Sequence, residues 1–249
     1  MERNIVFTLK KCAIVRDIRA LVLGDLHIGF EHELLRSGIS IPSQSERMLS
    51  ICTKIAERRR CRKIILLGDV KHNLPGAGYE ESKKTEQFLA SLCERCEVVL
   101  VKGNHDGEIE KHAPEGVKIV DSKGVRIKDY AFAHGNAWID EELLKARILF
   151  LAHEHAGIEL SDGRSRVLEP CWIVARPRKE MFEEKFGEKC RLKRVIVLPA
   201  FNPVLGCFAI NVHSFSPLSP NLKFCDMEHA EIFLSSGEYL GKLKYLTEG

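Results

Sequence analysis

Residues 98–106 read VVLVKGNHD, an apolar strand followed at once by an amide, an imidazole and a carboxylate. Asn104 can ligate a metal ion through its amide oxygen, and His105 can donate a proton to a leaving group. Asp106 can orient the ring of that histidine through a hydrogen bond. A turn that these polar residues merely stabilise is the simpler explanation for the stretch taken alone. The pattern indicates a strand that ends in a candidate catalytic loop.

Four more apolar strands end in residue types that ligate metals. LLGD at 66–69 ends in Asp69, and LGDLH at 23–27 places Asp25 and His27 two positions apart. The strands at 131–133 and 148–151 stop at histidines, which are His134 in the first case and His153 with His155 in the second. Residues i and i+2 of an extended segment face the same side, so each spaced pair can bind one ion. A surface pair or a core histidine explains any one motif, but five such strand ends indicate one shared site.

Apolar, β-branched runs alternate with helical patterns along the chain, which predicts an α/β fold with a mixed sheet. We expect a first hairpin at 4–9 and 12–16, followed by buried strands at 19–24, 63–67 and 97–101. Helices are expected at 82–93 and at 43–60, where Ser43 and Glu46 have the spacing of a capping box. A second sheet layer is expected from strand-like stretches at 171–175, 194–198, 207–210 and 231–234, with a helix near 178–186. The PLSP segment at 217–220 predicts a surface loop.

The composition excludes several classes of protein. Of 249 residues, 45% are hydrophobic and 29% are charged, which predicts one ordered globular domain spanning residues 1–249. The start, MERN, has no leader pattern, and no run of about 18 apolar residues occurs, so we expect a cytoplasmic protein without a membrane partner. A net charge of +3 is only mildly basic, and nine cysteines do not suit a fully paired disulfide framework. Buried thiols are expected instead.

The five motifs, in this order, resemble those of the calcineurin-like metallophosphoesterase superfamily, which are Asp-X-His, Gly-Asp, Gly-Asn-His-Asp, His and His-X-His. The likeness runs from residue 25 to residue 155. Within the superfamily, the LPAFNP segment at 198–203 is similar to small archaeal phosphoesterases related to the SbcD nucleases. The resemblance implies an α/β fold built as a four-layer α/β/β/α sandwich with two mixed β-sheets and with the metals at the strand ends.

The resemblance also implies a dinuclear metal centre. The implied ligands are Asp25, His27 and His155 for the first ion, Asn104, His134 and His153 for the second, and Asp69 as the bridge between them. Two ions roughly 3.5–4 Å apart can bind phosphate oxygens and generate a bridging hydroxide for in-line attack. His105 would protonate the leaving group, with Asp106 as its orienting partner. Oxygen and imidazole ligands suit manganese, iron, zinc or nickel, and the family precedent favours Mn²⁺.

Three positions depart from, or vary within, the family pattern. His72 stands three residues after the aspartate of the second motif, where relatives carry Asp, Asn or His. Lys71 and His72 could contact substrate phosphate, or could belong to a solvated loop. Asn136 stands where many relatives carry a second histidine, and Ala152 stands where they carry a glycine. The seven implied ligands remain intact.

We expect hydrolysis of a phosphoester, and more specifically of a phosphodiester in a nucleotide or nucleic acid. The basic stretches at 58–63 and 176–194 could neutralise DNA phosphates, but a helix dipole and interspersed glutamates also account for them. Three alternatives stay open: an SbcD-like DNA nuclease, a phosphomonoesterase with a closed pocket, and a non-catalytic metal-binding scaffold with a protein partner. No particular oligomeric state is indicated.

Overall fold

The computed structural model describes residues 4–72 and 78–247. The expectation that the chain lacks a leader concerns residues 1–4, of which the first three lie outside the described residues.

The first sheet has six strands in the described part of the chain. They are β1 (Ile5–Phe7), β2 (Ala13–Val15), β3 (Ala20–Leu23), β4 (Lys63–Leu67), β5 (Glu97–Val101) and β6 (Val117–Val120), in this spatial order. The strands β1, β2 and β3 pair antiparallel, whereas β3, β4, β5 and β6 pair parallel. The predicted hairpin is confirmed, and so are the buried strands at 63–67 and 97–101.

The second sheet has nine strands among the described residues. They are β7 (Val125–Ile127), β8 (Tyr130–Phe132), β9 (Ile148–Leu151), β10 (Ala156–Ser161), β11 (Arg166–Pro177), β12 (Arg194–Val197), β13 (Phe208–Ala209), β14 (Cys225–Leu234) and β15 (Tyr239–Lys242). The strands β8, β9 and β12 are parallel, and β11 pairs antiparallel with β10, β12 and β14. Both sheets are therefore mixed, as predicted.

Helices cover the outer face of each sheet. They are α1 (Phe30–Arg36), α2 (Ser45–Arg59), α3 (Gly78–Cys93), α4 (Lys179–Phe186) and α5 (Pro220–Lys223). Met48 of α2 and Phe88 of α3 pack on the first sheet, and Phe182 of α4 and Leu222 of α5 pack on the second. This arrangement confirms the four-layer α/β/β/α sandwich.

The inner faces of the two sheets share one apolar core. Ile65 and Val99 of the first sheet contribute to it, together with Phe132 and Phe150 of the second sheet. Each of these side chains is buried, and burying one such side chain contributes about 1.5–3 kcal/mol. The core fixes the position of one sheet relative to the other.

Two local predictions are wrong. The helix α2 starts at Ser45 rather than at residue 43, and its N-cap residue, Gln44, makes no side-chain capping bond. The Ser43 hydroxyl lies 3.1 Å from the Ser45 hydroxyl instead of capping the helix. The surface loop predicted at 217–220 is wrong for its last two residues, because Ser219 is fully buried and Pro220 begins α5, whereas Leu218 lies exposed in the loop.

No helix in the described part of the chain is both long and apolar enough to cross a membrane. All nine cysteines are free thiols, and seven of them are buried, which agrees with the expectation for them.

Candidate metal centre

The predicted site residues all follow the carboxyl ends of parallel strands, and these ends meet at one edge of the sandwich. The loops after β3, β4 and β5 come from the first sheet, and the loops after β8 and β9 come from the second. Rigid strands with converging loops are the usual setting of a ligand site in α/β proteins. Among the described residues, three groups of side chains at this edge could each hold a metal ion. Two of these groups, the first and second clusters, consist only of predicted ligands, whereas the third consists of His27, His72 and His105.

The first cluster consists of Asp25, His27 and His155, whose ligand atoms lie within 4.8 Å of one another. The Nε2 atom of His155 is 3.6 Å from Oδ1 of Asp25. The Nε2 atom of His27 is buried, and it finds no hydrogen-bond partner among residues 4–72 and 78–247. Buried polar atoms are nearly always paired, so this orphaned nitrogen fits a metal ligand.

The second cluster consists of Asp69, His134 and His153, again within 4.8 Å. The Nε2 atom of His134 is 3.3 Å from Oδ2 of Asp69 and 3.2 Å from Oδ1 of Asn104. The Nδ1–H of His134 donates to the carbonyl of Leu67 at 2.7 Å, which directs Nε2 into the cluster. The amide oxygen of Asn104 therefore belongs to the second cluster by position.

Asp69 lies between the two clusters. Its Oδ2 atom is 3.5 Å from Nε2 of His27 and 3.3 Å from Nε2 of His134. Its Oδ1 atom accepts the backbone N–H of His105 at 2.9 Å. One carboxylate thus contacts a histidine from each cluster.

The backbone at these residues differs from the expectation. Five of the cluster residues have left-handed φ angles, which are 55° for Asp25, 41° for His27, 50° for Asp69, 70° for His153 and 44° for His155. The argument that paired residues face one side of an extended strand is therefore incorrect. The side chains converge because the chain turns sharply at each of them, in a conformation that non-glycine residues rarely adopt.

Motif glycines let the loops approach each other. A Cβ atom added at Gly103 would lie 2.2 Å from Oδ1 of Asp69. Gly68 has a φ of +71°, and a Cβ atom there would lie 2.5 Å from Nδ1 of His134. The glycines that precede Asp69 and Asn104 are therefore a steric requirement of the site.

The charges in the site suit cation binding. Burial opposes ionisation of Asp25 and Asp69, but neighbouring histidines outweigh it. The hydrogen bond and charge of His155 lower the pKa of Asp25. The hydrogen bond and charge of His134 lower the pKa of Asp69 in the same way. Burial lowers the pKa of His27 to about 3, and it lowers the pKa of His153 to about 4. Despite burial, the hydrogen bond and charge of Asp69 raise the pKa of His134 to about 9, and those of Asp25 raise the pKa of His155. The edge therefore presents ionised carboxylates with His27 and His153 neutral, whereas His134 and His155 would release a proton on binding a metal ion.

His105 and Asp106 are not partners. The Nδ1–H of His105 donates to the carbonyl of His72 at 2.8 Å, which leaves Nε2 as the nitrogen that can exchange a proton. Asp106 is buried, and its Oδ1 accepts the backbone N–H groups of Val70 at 2.9 Å and Lys71 at 3.2 Å. Its Oδ2 accepts the N–H of Gly103 at 2.9 Å. The prediction that Asp106 orients the His105 ring is wrong, because its oxygens hold the backbone of two loops together.

His72 contacts the ring of His27, a member of the first cluster. Its Nδ1 is 2.9 Å from Nδ1 of His27, and its Nε2 is 2.5 Å from Oε2 of Glu33. A neutral His72 that donates from Nε2–H to the Glu33 carboxylate has a lone pair on its own Nδ1. This Nδ1 then accepts the Nδ1–H of His27, which leaves the lone pair of His27 on Nε2. Lys71 and His72 are both buried, which excludes the solvated loop.

Two further residues support the site, although the ligand motifs do not predict a role for them. Glu154 is buried between the two histidines of the last motif, and its carboxylate accepts the N–H groups of Leu218 at 3.1 Å and Ser219 at 2.6 Å. Asn202 donates its side-chain N–H to the carbonyl of Leu26 at 2.7 Å, which supports the loop of the first cluster from a distant part of the chain. In the sequence, only the LPAFNP segment at 198–203 pointed to the stretch that contains Asn202.

Comparisons with known proteins found a matching sequence profile and similar solved structures. The sequence profile described as calcineurin-like phosphoesterase matches residues 18–207. Among solved structures, nuclease MPE of Pseudomonas putida is similar, with 20% identity, a TM-score of 0.58, and coverage of 93% of this chain and 92% of that one. The phosphoesterase Yfce from E. coli has 18% identity and a TM-score of 0.35 over 58% of this chain and 74% of its own. A search of curated proteins found no match to the sequence.

Proposed function

Because the chain belongs to the calcineurin-like phosphoesterase family and is a metal-dependent hydrolase of phosphoesters, we propose that it is a phosphodiesterase with two divalent ions. The position of Asp69 carries this proposal, since its carboxylate contacts histidines of both clusters. A carboxylate in that position can serve two ions at once, as two-metal sites require.

We assign the ligands by cluster. The first ion would be held by Asp25, His27 and His155, the second by Asn104, His134 and His153, and both by Asp69. The orphaned Nε2 of His27 and the absence of thiolate from the two clusters of described residues support this set. Such donors accept manganese, iron, zinc and nickel, and we propose Mn²⁺. When bound, the ions supply positive charge to the phosphoryl transition state and increase the acidity of water.

The protein residues orient the groups that react. His105 would donate a proton from Nε2 to the leaving oxygen, because the His72 carbonyl holds its other nitrogen. We reassign His72 from phosphate contact to positioning, since both of its ring nitrogens are engaged by protein groups. Asp106 would keep the loops after β4 and β5 in register, and thereby hold Asp69 beside Asn104.

The proposal of a diester rests on likeness of fold and on open access. Nuclease MPE has the same fold over nearly its whole length. Among the described residues, Asn104 is exposed and His105 is partly exposed. The basic stretches do not support a diester. Residues 58–63 end where β4 begins, and residue 194 begins β12, whereas the clusters follow the opposite ends of parallel strands. The strands β4 and β12 have five and four residues, so about 13–17 Å of extended chain separates the basic stretches from the opposite strand ends. We therefore propose a nucleotide-type diester, and the SbcD-related branch stays a prediction.

The test uses metal-stripped protein resupplied with Mn²⁺. Hydrolysis of bis-p-nitrophenyl phosphate is compared with that of p-nitrophenyl phosphate, and bound metal is counted by elemental analysis. We expect two ions per chain and faster turnover of the diester. Asp69→Asn should abolish turnover, whereas Asp129→Asn, at an exposed carboxylate near the opposite edge, should not.

Each part of the proposal can fail separately. One ion per chain would contradict the dinuclear centre, and faster monoester turnover would contradict the diester. Two bound ions with no turnover of either ester would overturn catalysis on such esters and favour the scaffold.

A further inference from the structure

An apolar ring stands exposed beside the first cluster. Phe208 is 63% exposed, and the centroid of its ring lies 6.3 Å from that of His155. Single exposed apolar residues are common on protein surfaces and need no special explanation. The position of this one, next to a proposed metal ligand, distinguishes it from the others.

The backbone fixes Phe208 to the cluster. Its N–H donates to the carbonyl of His155 at 2.8 Å, and Ile210 donates to the carbonyl of Gly157 at 2.9 Å. These bonds make β13 a parallel partner of β10, in which Phe208 pairs with Ala156. The ring is therefore carried on the same short strand pair that begins directly after His155.

The strands β13 and β10 are in close contact at Gly157, next to Phe208. Cys207 packs against Gly157, where an added Cβ atom would lie 2.5 Å from Sγ of the cysteine and 3.2 Å from the carbonyl oxygen of Glu169. A larger residue at Gly157 would clash with Cys207, which directly precedes β13. The position of Phe208 thus depends on a glycine that no ligand motif requires.

The ring is the open end of a row of rings across the first cluster. Successive centroids are separated by 6.3 Å from Phe208 to His155, 5.3 Å to His27, 5.2 Å to His72 and 5.1 Å to Phe30. Phe30, at the other end, is only partly exposed. Phe208 therefore offers the accessible apolar face on which a planar substituent of a bound phosphoester could stack.

We propose that Phe208 is a stacking platform for the nucleobase of the substrate, so that the site prefers nucleotide esters over esters without a base. This inference rests on the proposed function, because it places the phosphate at the clusters. Aromatic side chains stack on every base, since every base has a π-face. Loss of one such stack corresponds to about a 5- to 140-fold change in kcat/KM or affinity.

The test compares two esters with one leaving group. These are the p-nitrophenyl ester of thymidine 5′-monophosphate and the same ester of the abasic sugar phosphate, each assayed with Mn²⁺-loaded protein. We expect the wild type to prefer the thymidine ester by about 5- to 140-fold in kcat/KM. Phe208→Ala and the apolar but non-planar Phe208→Leu should lose that preference, measured as the ratio of kcat/KM for the two esters. Phe208→Trp should retain it.

The outcomes separate this inference from the proposed function. Hydrolysis of both esters without a preference, or an undiminished preference in Phe208→Leu, would overturn the platform and leave the phosphodiesterase intact. If neither ester is hydrolysed, the proposed function fails. Tryptophan fluorescence of Phe208→Trp then tests separately whether residue 208 stacks on a base. Thymidine 5′-monophosphate should then quench Phe208→Trp saturably and more strongly than the wild type, and equal quenching would overturn the platform.

Discussion

Left-handed backbone angles at five proposed ligands make the metal centre a strained part of the chain. Such a conformation costs a non-glycine residue on the order of 1 kcal/mol or more, and only the surrounding structure maintains it. Glycine adopts it without that cost. Replacing a ligand by glycine or by alanine therefore removes the same side-chain contacts and changes the backbone cost alone.

His155 offers a direct test of this strain, because it has a φ of 44°. We expect metal-free His155→Gly to be more stable than metal-free His155→Ala by about 1 kcal/mol. Urea denaturation of both proteins measures the difference. Elsewhere glycine destabilises relative to alanine, so equal stability or a more stable alanine variant would argue against strain at this position.

The chain of hydrogen bonds from Glu33 through His72 to His27 makes a second prediction. Outer partners of ligating histidines typically contribute 10- to 100-fold in metal affinity. His72→Ala should therefore weaken Mn²⁺ binding at one of the two sites by about that factor. Calorimetric titration of the metal-stripped protein measures both affinities.

Glu33→Gln should have a smaller effect of the same kind, since half of the Glu33 side chain is exposed. Glu46→Gln, at an exposed carboxylate on α2, is the matched control. Unaltered Mn²⁺ affinity in His72→Ala would show that His27 needs no such support.

Strands and loops are coupled by Asp106, which connects the loop after β4 with the loop after β5. Asp106→Ala would leave three backbone amides without their acceptor, and each buried unsatisfied group costs about 1–3 kcal/mol. We expect a loss of at least about 2 kcal/mol in the free energy of unfolding, together with loss of activity. Asp106→Asn, which keeps the size and one acceptor oxygen, should fall between that variant and the wild type.

The pH dependence distinguishes this role from the orientation of His105. If Asp106 acts only on the backbone, the residual activity of Asp106→Asn should keep the pH profile of the wild type. A shifted profile would mean that Asp106 acts on the proton donor after all.

The elements that the sequence predicted best are those buried on both faces. The strands β4 and β5 are continuous apolar runs between two layers, so their bounds followed from the sequence alone. The helix α1 and the edge strands β6 and β7 were missed because they are short and partly polar. Tertiary contacts hold them instead, such as the 3.0 Å ion pair of Lys84 with Glu31 in α1.

The same distinction applies to the site. Candidate ligands could be found because each directly follows an apolar strand, and strand ends are visible in a sequence. The left-handed turns, the acceptor role of Asp106 and the support from Glu33 could not be predicted, and the LPAFNP segment indicated Asn202 without its contact. They depend on which loops meet in space, as with Asn202, which bonds to Leu26 from 176 positions away.

The whole molecule matters to the site because each cluster draws on both sheets. In the first cluster Asp25 follows β3 and His155 follows β9, and in the second Asp69 follows β4 and His134 follows β8. The clusters therefore form only when the sheets pack together. Since the sheets also share one apolar core, we propose that residues 1–249 form a single domain.

The packing between sheets can be tested at Trp172, whose ring stacks on that of Phe7 across the core at 4.2 Å. Trp172→Ala should cost about 3–5 kcal/mol of unfolding free energy, as for other large core side chains. Trp172→Phe, which keeps an aromatic ring, should cost less. Urea denaturation of the metal-free proteins measures both, and a loss below about 1 kcal/mol in Trp172→Ala would contradict the tight packing of this core.

Ions held by both sheets should stabilise the entire fold. A ligand that binds only the folded state at a hundredfold excess over its Kd adds about 2.7 kcal/mol. For a chain of this size, 1 kcal/mol corresponds to roughly 2–4 °C in Tm, so saturating Mn²⁺ should raise Tm by about 5–11 °C. Calorimetry with Mn²⁺ and with a chelator measures the shift, which Asp129→Asn should preserve and Asp69→Asn should reduce. If Tm does not change with metal, the ions do not join the two sheets, and the ligand set proposed for both clusters is wrong.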